Sequence, residues 1–349
     1  MKKSIGIDCS KLNTDYKTGT HRFLIGLLTE LVKNDEYNYF FYVNKNSDFL
    51  NQYAFSKKGK IVCLNYPFLY TQVGLLSSLK NHDYFIFPWQ TLPIFGFYSK
   101  CERLSIIHDL GYSLTSKVTT FLTQVLSNRI FSVSTSTARS LFRKSIVLGE
   151  GVDPKIFYPI PAPELKIKMK ITDIPNFYIL SVGRVEKRKN VYNNIKAFAR
   201  LKKFYPNIKY LFISNYIENE EKIYSLIREL GINDGDILFK KNVSDSDLNV
   251  YLNAMEFLVF TSLEEGFGLP VLEAYSVQKP VLLSKIEQLA EFKISANQYV
   301  DPNNVDEISE RMVRFLKKDH GIESKKSYKE ILDRFSWRRC AETLLKGLK

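Results

Sequence analysis

A glycine-rich segment that follows an apolar strand in the second half of the sequence carries two glutamates. The strand is EFLVF (256–260), and the segment TSLEEGFGLPVLEA (261–274) follows it directly. Pro270 suits the first turn of a helix, where its missing N–H is not needed. We therefore expect a loop that contains Glu265 and opens a helix that contains Glu273. Both carboxylates can then reach the carboxyl edge of the sheet, where open α/β proteins bind ligands.

The glycines of this segment favour a phosphate ligand. Gly266 and Gly268 let backbone N–H groups come close to a ligand, and the N–H groups and dipole of a helix start favour an anion. Two carboxylates beside such a helix end suit a molecule with vicinal hydroxyls and phosphates, such as a nucleotide sugar. The alternative is a plain turn in which Glu273 interacts only with its own helix, and a second phosphate-type segment weighs against it.

That second segment is SVGRVEKRKN (181–190), between the apolar run FYILSV (177–182) and the helical pattern VYNNIKAFARL (191–201). Four cations in so short a turn would repel one another unless an anion such as a diphosphate joined them. Arg184 offers a bidentate fork and Lys189 a compact charge, a suitable pair for a pyrophosphate. Lys187 and Arg188, which lie between them, also fit a solvated basic turn.

Composition excludes several classes of protein. The chain has 349 residues, which favours two domains, and its 45% hydrophobic and 25% charged residues exclude collagen-like and disordered proteins. No apolar run long enough for a signal peptide precedes Asp8, so a cytoplasmic location is expected. The four cysteines form no C-x-x-C pair and the four histidines show no metal spacing, so no bound metal is expected.

The net charge of +13 predicts an anionic partner: nucleic acid, an anionic membrane surface or anionic small molecules. Residues 51–149 contain eleven lysines and arginines but three acidic residues, and include the uncharged runs 61–79 and 84–99. These runs are too polar or proline-containing to span a membrane. They fit a core strand with a loop, or apolar loops on a lipid headgroup layer. The candidate membrane contacts are Lys57, Lys58, Lys60 and Lys80, with Phe68, Leu69 and Tyr70.

Short apolar runs alternate with helical patterns along the chain, which predicts α/β units with parallel sheets. The strand candidates are 4–8, 38–43, 84–87, 104–107, 130–133, 145–148, 177–182, 209–213, 236–239, 256–260 and 280–283. The proline-rich stretch after Gly149 predicts stiff, non-helical chain. The predicted organisation is a first domain at 1–155, a linker at 156–176, a second domain at 177–325 and C-terminal helices at 326–349. A return of one of these helices to the first domain is left open.

Five motifs in this order resemble those of the retaining glycosyltransferases of family 4. They are GTHRF (19–23), IHDL (107–110), GVDP (151–154) with Phe157, SVGRVEKRKN and EEGFGLPVLEA. The likeness covers nearly the whole chain and ends in FSW (335–337). It implies the α/β GT-B fold, in which two doubly wound Rossmann-like domains face each other across a cleft.

The resemblance also implies residue roles. Glu265 and His108 would be the catalytic residues at the reacting centre. Glu265 would bind the hydroxyls of the donor sugar, and His108 would contact that sugar. Glu273 would bind the donor ribose. The full set of donor-binding residues would be Gly19, Thr20, Arg184, Lys189, Gly266, Phe267, Gly268, Leu269 and Glu273. No metal and no cofactor are implied, and the cations and helix dipole would stabilise the departing diphosphate.

The activity implied is transfer of a hexose from a nucleoside-diphosphate sugar to a saccharide or lipid-linked acceptor in polysaccharide or glycolipid biosynthesis. GDP-mannose is the preferred donor, because GRVEKRKN resembles mannosyltransferase-like members. The enzyme would be cytoplasmic, with a peripheral contact to the inner face of an anionic plasma membrane. The family usually has glycine where this chain has Asn242 and Gln278, and asparagine where it has Glu150.

Three other readings remain to be weighed. A sugar-nucleotide epimerase or phosphorylase fits the same fold. A nucleic-acid-binding protein fits the charge, but the chain lacks interleaved basic and aromatic motifs, and no nucleic-acid partner is expected. A dinucleotide dehydrogenase is disfavoured because no G-x-G-x-x-G follows the strand SIGID (4–8). The D-x-D sequences at 245–247 and 234–236 are interpreted as a helix N-cap region and a turn, and not as metal ligands.

Overall fold

The chain forms two compact α/β units in a computed structural model that describes residues 2–13, 18–44, 48–66, 68–110, 114–321 and 325–349. The first unit comprises residues 1–151 and 336–349, and the second comprises residues 152–335. The predicted α/β class with parallel sheets is confirmed in both units.

The first unit is built on a parallel sheet of seven strands in the order β3-β2-β1-β4-β5-β6-β7. Its elements are β1 (Lys3–Asp8), α1 (Gly19–Leu31), β2 (Tyr37–Asn44), β3 (Lys60–Leu64), α2 (Leu76–Leu79), β4 (Tyr84–Phe87), β5 (Glu102–Ile107), α3 (Leu114–Leu126), β6 (Arg129–Ser132), α4 (Thr135–Arg139) and β7 (Ile146–Val147). The central strands are apolar on both faces because helices cover both sides of a doubly wound sheet. All four residues of β4 are buried, so for 84–87 the core interpretation is confirmed.

The second unit has a parallel sheet of six strands in the order β10-β9-β8-β11-β12-β13. Its elements are α5 (Ala162–Ile171), β8 (Tyr178–Val182), α6 (Val191–Leu201), β9 (Lys209–Ile213), α7 (Glu220–Glu229), β10 (Ile237–Lys240), α8 (Asp245–Ala254), β11 (Leu258–Phe260), α9 (Leu269–Ser276), β12 (Val281–Ser284), α10 (Glu287–Ala290), β13 (Tyr299–Val300), α11 (Val305–Leu316) and α12 (Lys325–Arg334). α6 buries Ile195 and Phe198 in a core shared with Phe257 of the sheet and Met312 of α11. This core fixes the helix that opens one of the two predicted phosphate loops.

The predicted linker contains a helix, so the expectation of non-helical chain is wrong for α5. Pro161 is the N-cap residue and Pro163 lies in the first turn, where proline does not disturb a helix. Glu164 and Lys168 form an i,i+4 ion pair of 3.0 Å, which adds support to the helix.

The part predicted as C-terminal helices, 326–349, contains two helices. α12 ends at Arg334, and a further helix, α13 (Trp337–Lys346), starts after Ser336, whose side chain accepts a hydrogen bond from the N–H of Arg339. α12 groups with the second unit and α13 with the first, where the ring of Trp337 lies 5.7 Å from that of Phe23. Among the described residues, none of the helices has the length and apolar character needed to cross a membrane.

The two departures from the family's glycines keep the turn geometry. Asn242 has φ of 56° and Gln278 has φ of 60°, which is the left-handed region that glycine tolerates best. A side chain there costs about 1 kcal/mol. The chain therefore keeps the backbone turns that the usual glycines serve.

Candidate functional site

The two predicted phosphate loops lie side by side at the carboxyl edge of the second sheet. β8 and β11 are neighbours, with Leu180 paired to Leu258, and the strand order reverses between them. Open α/β sheets bind ligands at such a reversal. The sequence analysis expected a phosphate ligand at each loop, and the structure brings residues 183–190 and 261–268 to one edge.

Backbone conformation in both loops depends on residues that tolerate positive φ. Gly183 has φ of 125° and Gly268 has φ of 120°, values that side chains rarely adopt. Asn190, at φ 60°, begins α6, and its amide donates to the carbonyl of Pro302 at 2.6 Å. Buried Thr261 donates from its hydroxyl to Asn194 of α6. Thr261 and Asn190 are positioning residues that the sequence analysis did not single out.

Three contacts join the two loops across the edge. The N–H of Leu263 donates to the carbonyl of Arg188 at 2.8 Å, and the Arg188 guanidinium donates to the carbonyl of Glu264 at 3.1 Å. The ammonium of Lys189 forms an ion pair with the carboxylate of Glu265. The predicted diphosphate cation and the predicted catalytic glutamate are therefore in direct contact.

Glu265 is buried and charged. Burial alone would raise the pKa of its carboxyl, but Lys189, Arg188 and a hydrogen bond from Ser262 hold that pKa below the usual value. Burial lowers the pKa of the Lys189 ammonium, and Glu265 opposes this shift. Each charge thus depends on the other, which is the usual condition for keeping an ion buried.

The cations of this turn are not held together by an anion alone, contrary to the expectation from the sequence. Glu186 lies between Arg184 and Arg188, at 3.3 Å from the former and 3.0 Å from the latter. Arg188 also reaches Glu265 at 3.3 Å. The interpretation of Arg188 as a solvated cation is therefore wrong, because the fold supplies carboxylates that the local sequence could not place.

Arg184 is the most exposed of the three paired cations, with 57% of its side chain accessible. Its guanidinium lies over the ring of Tyr216, 4.0 Å from the centroid, a cation–π contact that orients it. Arg184 is free to contact a bound anion without leaving a buried partner behind.

The remaining donor-binding candidates lie at the start of α9. Glu273 is buried in this helix. The side chains of Phe267 and Leu269 are buried, and the Phe267 ring packs against Phe292 at 5.5 Å. Only backbone groups of these two residues can therefore meet a donor, as the first N–H groups of a helix lack partners within it.

Space at this edge is open and not enclosed. A cavity of about 20 Å³ lies between the loops, lined in part by Gly183, Lys189 and Thr261, which holds little more than one water. A nucleoside diphosphate would thus bind over the edge, with Lys189, Arg184 and the N-terminus of α9 facing its phosphates.

Each D-x-D sequence has an acidic residue with a partner within the fold. Ser244 is the N-cap of α8 and accepts from the N–H of Asp247 at 3.1 Å, which confirms the capping interpretation. Asp236 is buried and pairs with Lys202 and Lys209, each at 2.8 Å. In the part of the chain that the structure describes, three or more potential metal ligands of the His, Cys, Asp and Glu types do not gather anywhere.

Polar groups also gather at the carboxyl edge of the first unit. Gly19 and Thr20 form the first turn of α1. The next residue, His21, accepts a hydrogen bond from the N–H of Thr18 at 3.0 Å and donates to the carbonyl of Lys11 at 2.6 Å. The first turn of α1 is therefore fixed by the histidine of the GTHRF motif.

His108 follows β5 at the same edge and is partly buried. Its Nε2–H donates to the carbonyl of Pro88 at 3.1 Å, and its ring meets that of Phe23 edge-on at 4.8 Å. Burial lowers the pKa of His108 to about 4. The imidazole is therefore neutral near pH 7, and its Nδ1 can accept a hydrogen bond from a hydroxyl.

Two further residues of this edge were not selected from the sequence. Asp8 ends β1 and is buried, and it accepts a hydrogen bond from the hydroxyl of Tyr70 at 3.3 Å. Trp89 follows β4 and donates to the carbonyl of Asp8 at 2.9 Å. The signal was an acidic residue directly after an apolar strand, at the point where the strand order reverses between β1 and β4.

Comparison with known proteins identifies the second unit. Residues 166–331 match the family described as Glycosyl transferases group 1. The matched range contains both phosphate loops, so the glycosyltransferase resemblance carried by SVGRVEKRKN and EEGFGLPVLEA is confirmed.

Similar proteins include mannosyltransferases of bacterial O-antigen. The O-antigen chain mannosyltransferase B of Escherichia coli is 31% identical over 198 residues, which cover 54% of this chain and 50% of that protein. The serotype-specific mannosyltransferase WbdA of Escherichia coli is 27% identical over 251 residues, 70% of this chain and 29% of that protein. The chain thus spans half or less of the length of these relatives.

A solved structure matches the whole chain. This is the structure of Anabaena Alr3699/HepE in complex with UDP and glucose. It superimposes on this chain with a TM-score of 0.79 at 15% sequence identity, and the alignment covers 99% of each chain. A likeness at this identity concerns the fold. Together with the two doubly wound sheets, it confirms the predicted GT-B class.

Proposed function

We propose that this protein is a retaining glycosyltransferase that transfers a hexose from a nucleoside-diphosphate sugar to a saccharide or lipid-linked saccharide acceptor in polysaccharide or glycolipid biosynthesis. Its mannosyltransferase relatives favour mannose as the hexose and GDP-mannose as the donor. The observation that carries the proposal is the contact between Lys189 and Glu265, inside the family-matched residues and beside the start of α9.

The charges at this edge suit diphosphate departure. Lys189, Arg184 and the α9 N-terminus would stabilise the negative charge that develops as the sugar–phosphate bond breaks. Because Lys189 is held by Glu265 before a donor binds, the ammonium needs little reorganisation, and the buried Glu265 carboxylate can accept a hydrogen bond from a donor hydroxyl. Glu273 would bind the ribose.

Neutral groups of the first unit suit the sugar. His108 presents a neutral imidazole that can accept a hydroxyl hydrogen, and Gly19 and Thr20 offer helix N–H groups to a phosphate oxygen. Retention would follow from front-face attack, with the leaving phosphate taking the proton of the acceptor hydroxyl. The atoms then balance without an enzyme nucleophile or a metal ion.

A donor screen followed by transfer tests the proposal. We expect GDP-mannose to raise the unfolding temperature of the full chain more than GDP-glucose, UDP-glucose or free mannose, since a ligand at 100 times its Kd adds about 2.7 kcal/mol. Incubation with GDP-mannose and an oligomannose acceptor should then lengthen the acceptor with retained α configuration, read by NMR. A larger rise in unfolding temperature with UDP-glucose would make UDP-glucose the donor instead. No rise with any nucleotide sugar would refute the function.

The acceptor requirement separates this function from its alternatives. An epimerase would convert the nucleotide sugar without an acceptor, and a phosphorylase would require inorganic phosphate. Product that forms only when the saccharide is added supports transfer. Salt-sensitive binding to DNA or RNA would revive the nucleic-acid hypothesis.

A lipid-linked acceptor would place the enzyme at a membrane, so the proposal includes a peripheral contact with an anionic bilayer at the cytoplasmic face. The contacts suggested by the sequence are divided between the two ends of β3. Lys57, Lys58 and Lys60 lie at the start of β3, whereas exposed Phe68 and Leu69 follow its other end, and a strand of this length spans about 15 Å. Tyr70 is unsuitable as an apolar contact because its hydroxyl is bound to buried Asp8.

A further inference from the structure

α3 in the first unit has its polar face buried and its apolar face exposed. The buried side chains are Thr120, Thr123 and Gln124. The exposed apolar side chains are Leu114, Val118, Phe121, Leu122 and Val125. Their spacing of i, i+4, i+7, i+8 and i+11 forms one stripe along the helix. This is the reverse of the usual arrangement in a globular protein.

Specific hydrogen bonds fix this orientation. Thr120 donates to the side-chain carbonyl of Gln90 at 3.1 Å, and Thr123 donates to the backbone carbonyl of Gln90 at 2.9 Å. Gln124 accepts from the N–H of Phe142 at 3.0 Å. Rotating the helix to hide its apolar stripe would break these buried contacts, so the exposure of the stripe is built into the fold.

The apolar surface continues beyond α3. The exposed ring of Phe142 lies 5.3 Å from that of Phe121. At the other end of the helix, Arg103 donates to the carbonyl of Leu126 and to the carbonyl of Gly96, each at 2.9 Å. These bonds tie α3 to the turn that exposes Phe95, Phe97 and Tyr98.

Positive charge predominates around this surface, although Asp83 and Glu102 lie beside the aromatic turn. The sequence contains no Asp or Glu between residues 110 and 149. Lys117 falls within the stripe, at i+3 from Leu114 and i−4 from Phe121, and is exposed. Arg139 and Lys144 are exposed near Phe142, and Lys80 and Lys100 lie by the aromatic turn in a cavity of about 750 Å³ that Phe95 and Tyr98 also line.

We propose that the α3 face, defined as the exposed stripe of α3 with Phe142 and the 94–98 turn, docks on an anionic lipid bilayer. Exposed aliphatic and aromatic side chains among an excess of cations match the acyl boundary and the anionic headgroups of such a bilayer. A protein surface would have to supply a large acidic and apolar patch to fit equally. This proposal rests on the membrane contact in the proposed function and assigns that contact to a surface other than Lys57, Lys58 and Lys60.

Vesicle co-sedimentation of the full chain tests the assignment. We expect wild type to pellet with phosphatidylglycerol vesicles, to remain in the supernatant with phosphatidylcholine vesicles, and to release as salt rises. The double variant Val118→Gln/Phe121→Gln should lower the partition coefficient about tenfold, because each exposed apolar side chain would otherwise leave water. Glutamine is a good helix former, so α3 should stay folded.

A matched control keeps the change in chemistry and moves it to the second unit. Ile171 and Phe204 are 78% and 68% exposed, compared with 49% for Val118 and 55% for Phe121. The Ile171→Gln/Phe204→Gln variant should therefore bind vesicles like wild type. Loss of vesicle binding in this control and not in the α3 variant would overturn the assignment. The same holds if the Lys57→Glu/Lys58→Glu/Lys60→Glu variant loses vesicle binding and the α3 variant keeps it.

A fluorescence readout checks direct contact. Trp89 and Trp337 are each 8% exposed, so Phe121→Trp would add the one exposed indole among the described residues. Its emission should shift to the blue with anionic vesicles and be quenched by brominated acyl chains. No shift on a protein that pellets, or self-association through α3 without vesicle binding, would overturn the proposal. Transfer to a soluble acceptor is measured separately, so loss of the function and loss of the docking face are distinguishable.

Discussion

The two units present different chemistry at the same structural position, the carboxyl edge where the strand order reverses. In the second unit this edge is charged, with Lys189, Arg188 and Glu265 paired across two loops. In the first unit the histidines at this edge are neutral: His21 and His108 each donate to a backbone carbonyl, and burial lowers the pKa of both.

Under the proposed function this difference matches what each edge would hold. Fixed charges would stabilise a diphosphate, whose negative charge grows as the sugar–phosphate bond breaks. Neutral hydrogen-bonding groups suit sugar hydroxyls, which carry no charge. The comparison therefore predicts that substitutions in the second unit act on charge and substitutions in the first act on protonation.

The largest effect is expected for Lys189→Ala. Its loss leaves the buried Glu265 carboxylate with Arg188 as remaining cation, and removing one partner of a buried ion pair costs about 3 kcal/mol. Both the urea midpoint of unfolding and the affinity for GDP should fall. Lys187→Ala, an exposed cation of the same turn, is the control and should change neither. An unchanged urea midpoint in Lys189→Ala would mean that the edge does not depend on this pair.

Arg184→Ala separates donor binding from stability. Its guanidinium is exposed, and its partner Glu186 keeps Arg188, so the unfolding midpoint should stay constant. The lost contact to phosphate is worth about 1.5–3 kcal/mol, a Kd for GDP raised roughly 10- to 100-fold by calorimetry. Tyr216→Leu, which removes the stacked ring, should weaken binding less. Equal affinity in wild type and Arg184→Ala would place the phosphates elsewhere.

Periodicity and loop chemistry predicted most of the fold from the sequence, because the buried strands are short and largely apolar runs. The short strands β3 and β13 were not predicted. β3 begins with Lys60 and has no fully buried residue, so its sequence resembles a loop. The stripe of α3 illustrates another limit, since periodicity shows that a helix has an apolar face and does not show whether that face meets the core or solvent.

The site was predicted in part for a similar reason. The sequence placed Glu265 and Lys189 after two separate strands, and the structure brings them to a common edge. Their ion pair and the role of Glu186 between two arginines depend on how close the loops come, which is set by the pairing of β8 with β11. Local sequence could therefore name the charges and not their partners.

Acid titration tests the neutral edge of the first unit. The folded pKa of His108, about 4, lies below the ordinary value of 6.5. The unfolded chain therefore binds a proton more readily as pH falls from about 7 towards 4, and stability should fall over this range. Protonation of His108 in the unfolded chain should lower the free energy of unfolding by about 1–2 kcal/mol at pH 5. The His108→Gln variant should lose this pH dependence of stability. It should keep the pH dependence due to His82, whose pKa is also lowered to about 4 by burial. A pH profile that is identical in the variant would show that the pKa of His108 is the same in the folded and the unfolded chain.

The smallest expected effect is that of metal removal, and it sharpens the comparison most directly. If Lys189, Arg184 and the start of α9 supply the positive charge at the second edge, a divalent cation has no charge left to neutralise there. Hexose transfer should therefore proceed at an unchanged rate after EDTA treatment, and added Mg²⁺ or Mn²⁺ should leave Kd for GDP the same. Transfer that stops in EDTA and returns with Mn²⁺ would mean that the paired cations hold the loops together and leave the diphosphate to a metal. In that case Lys189→Ala would still lower stability, but Arg184→Ala would no longer weaken donor binding by itself. Assays of the two variants with and without Mn²⁺ therefore separate the structural role of the positive charge at this edge from its role in catalysis.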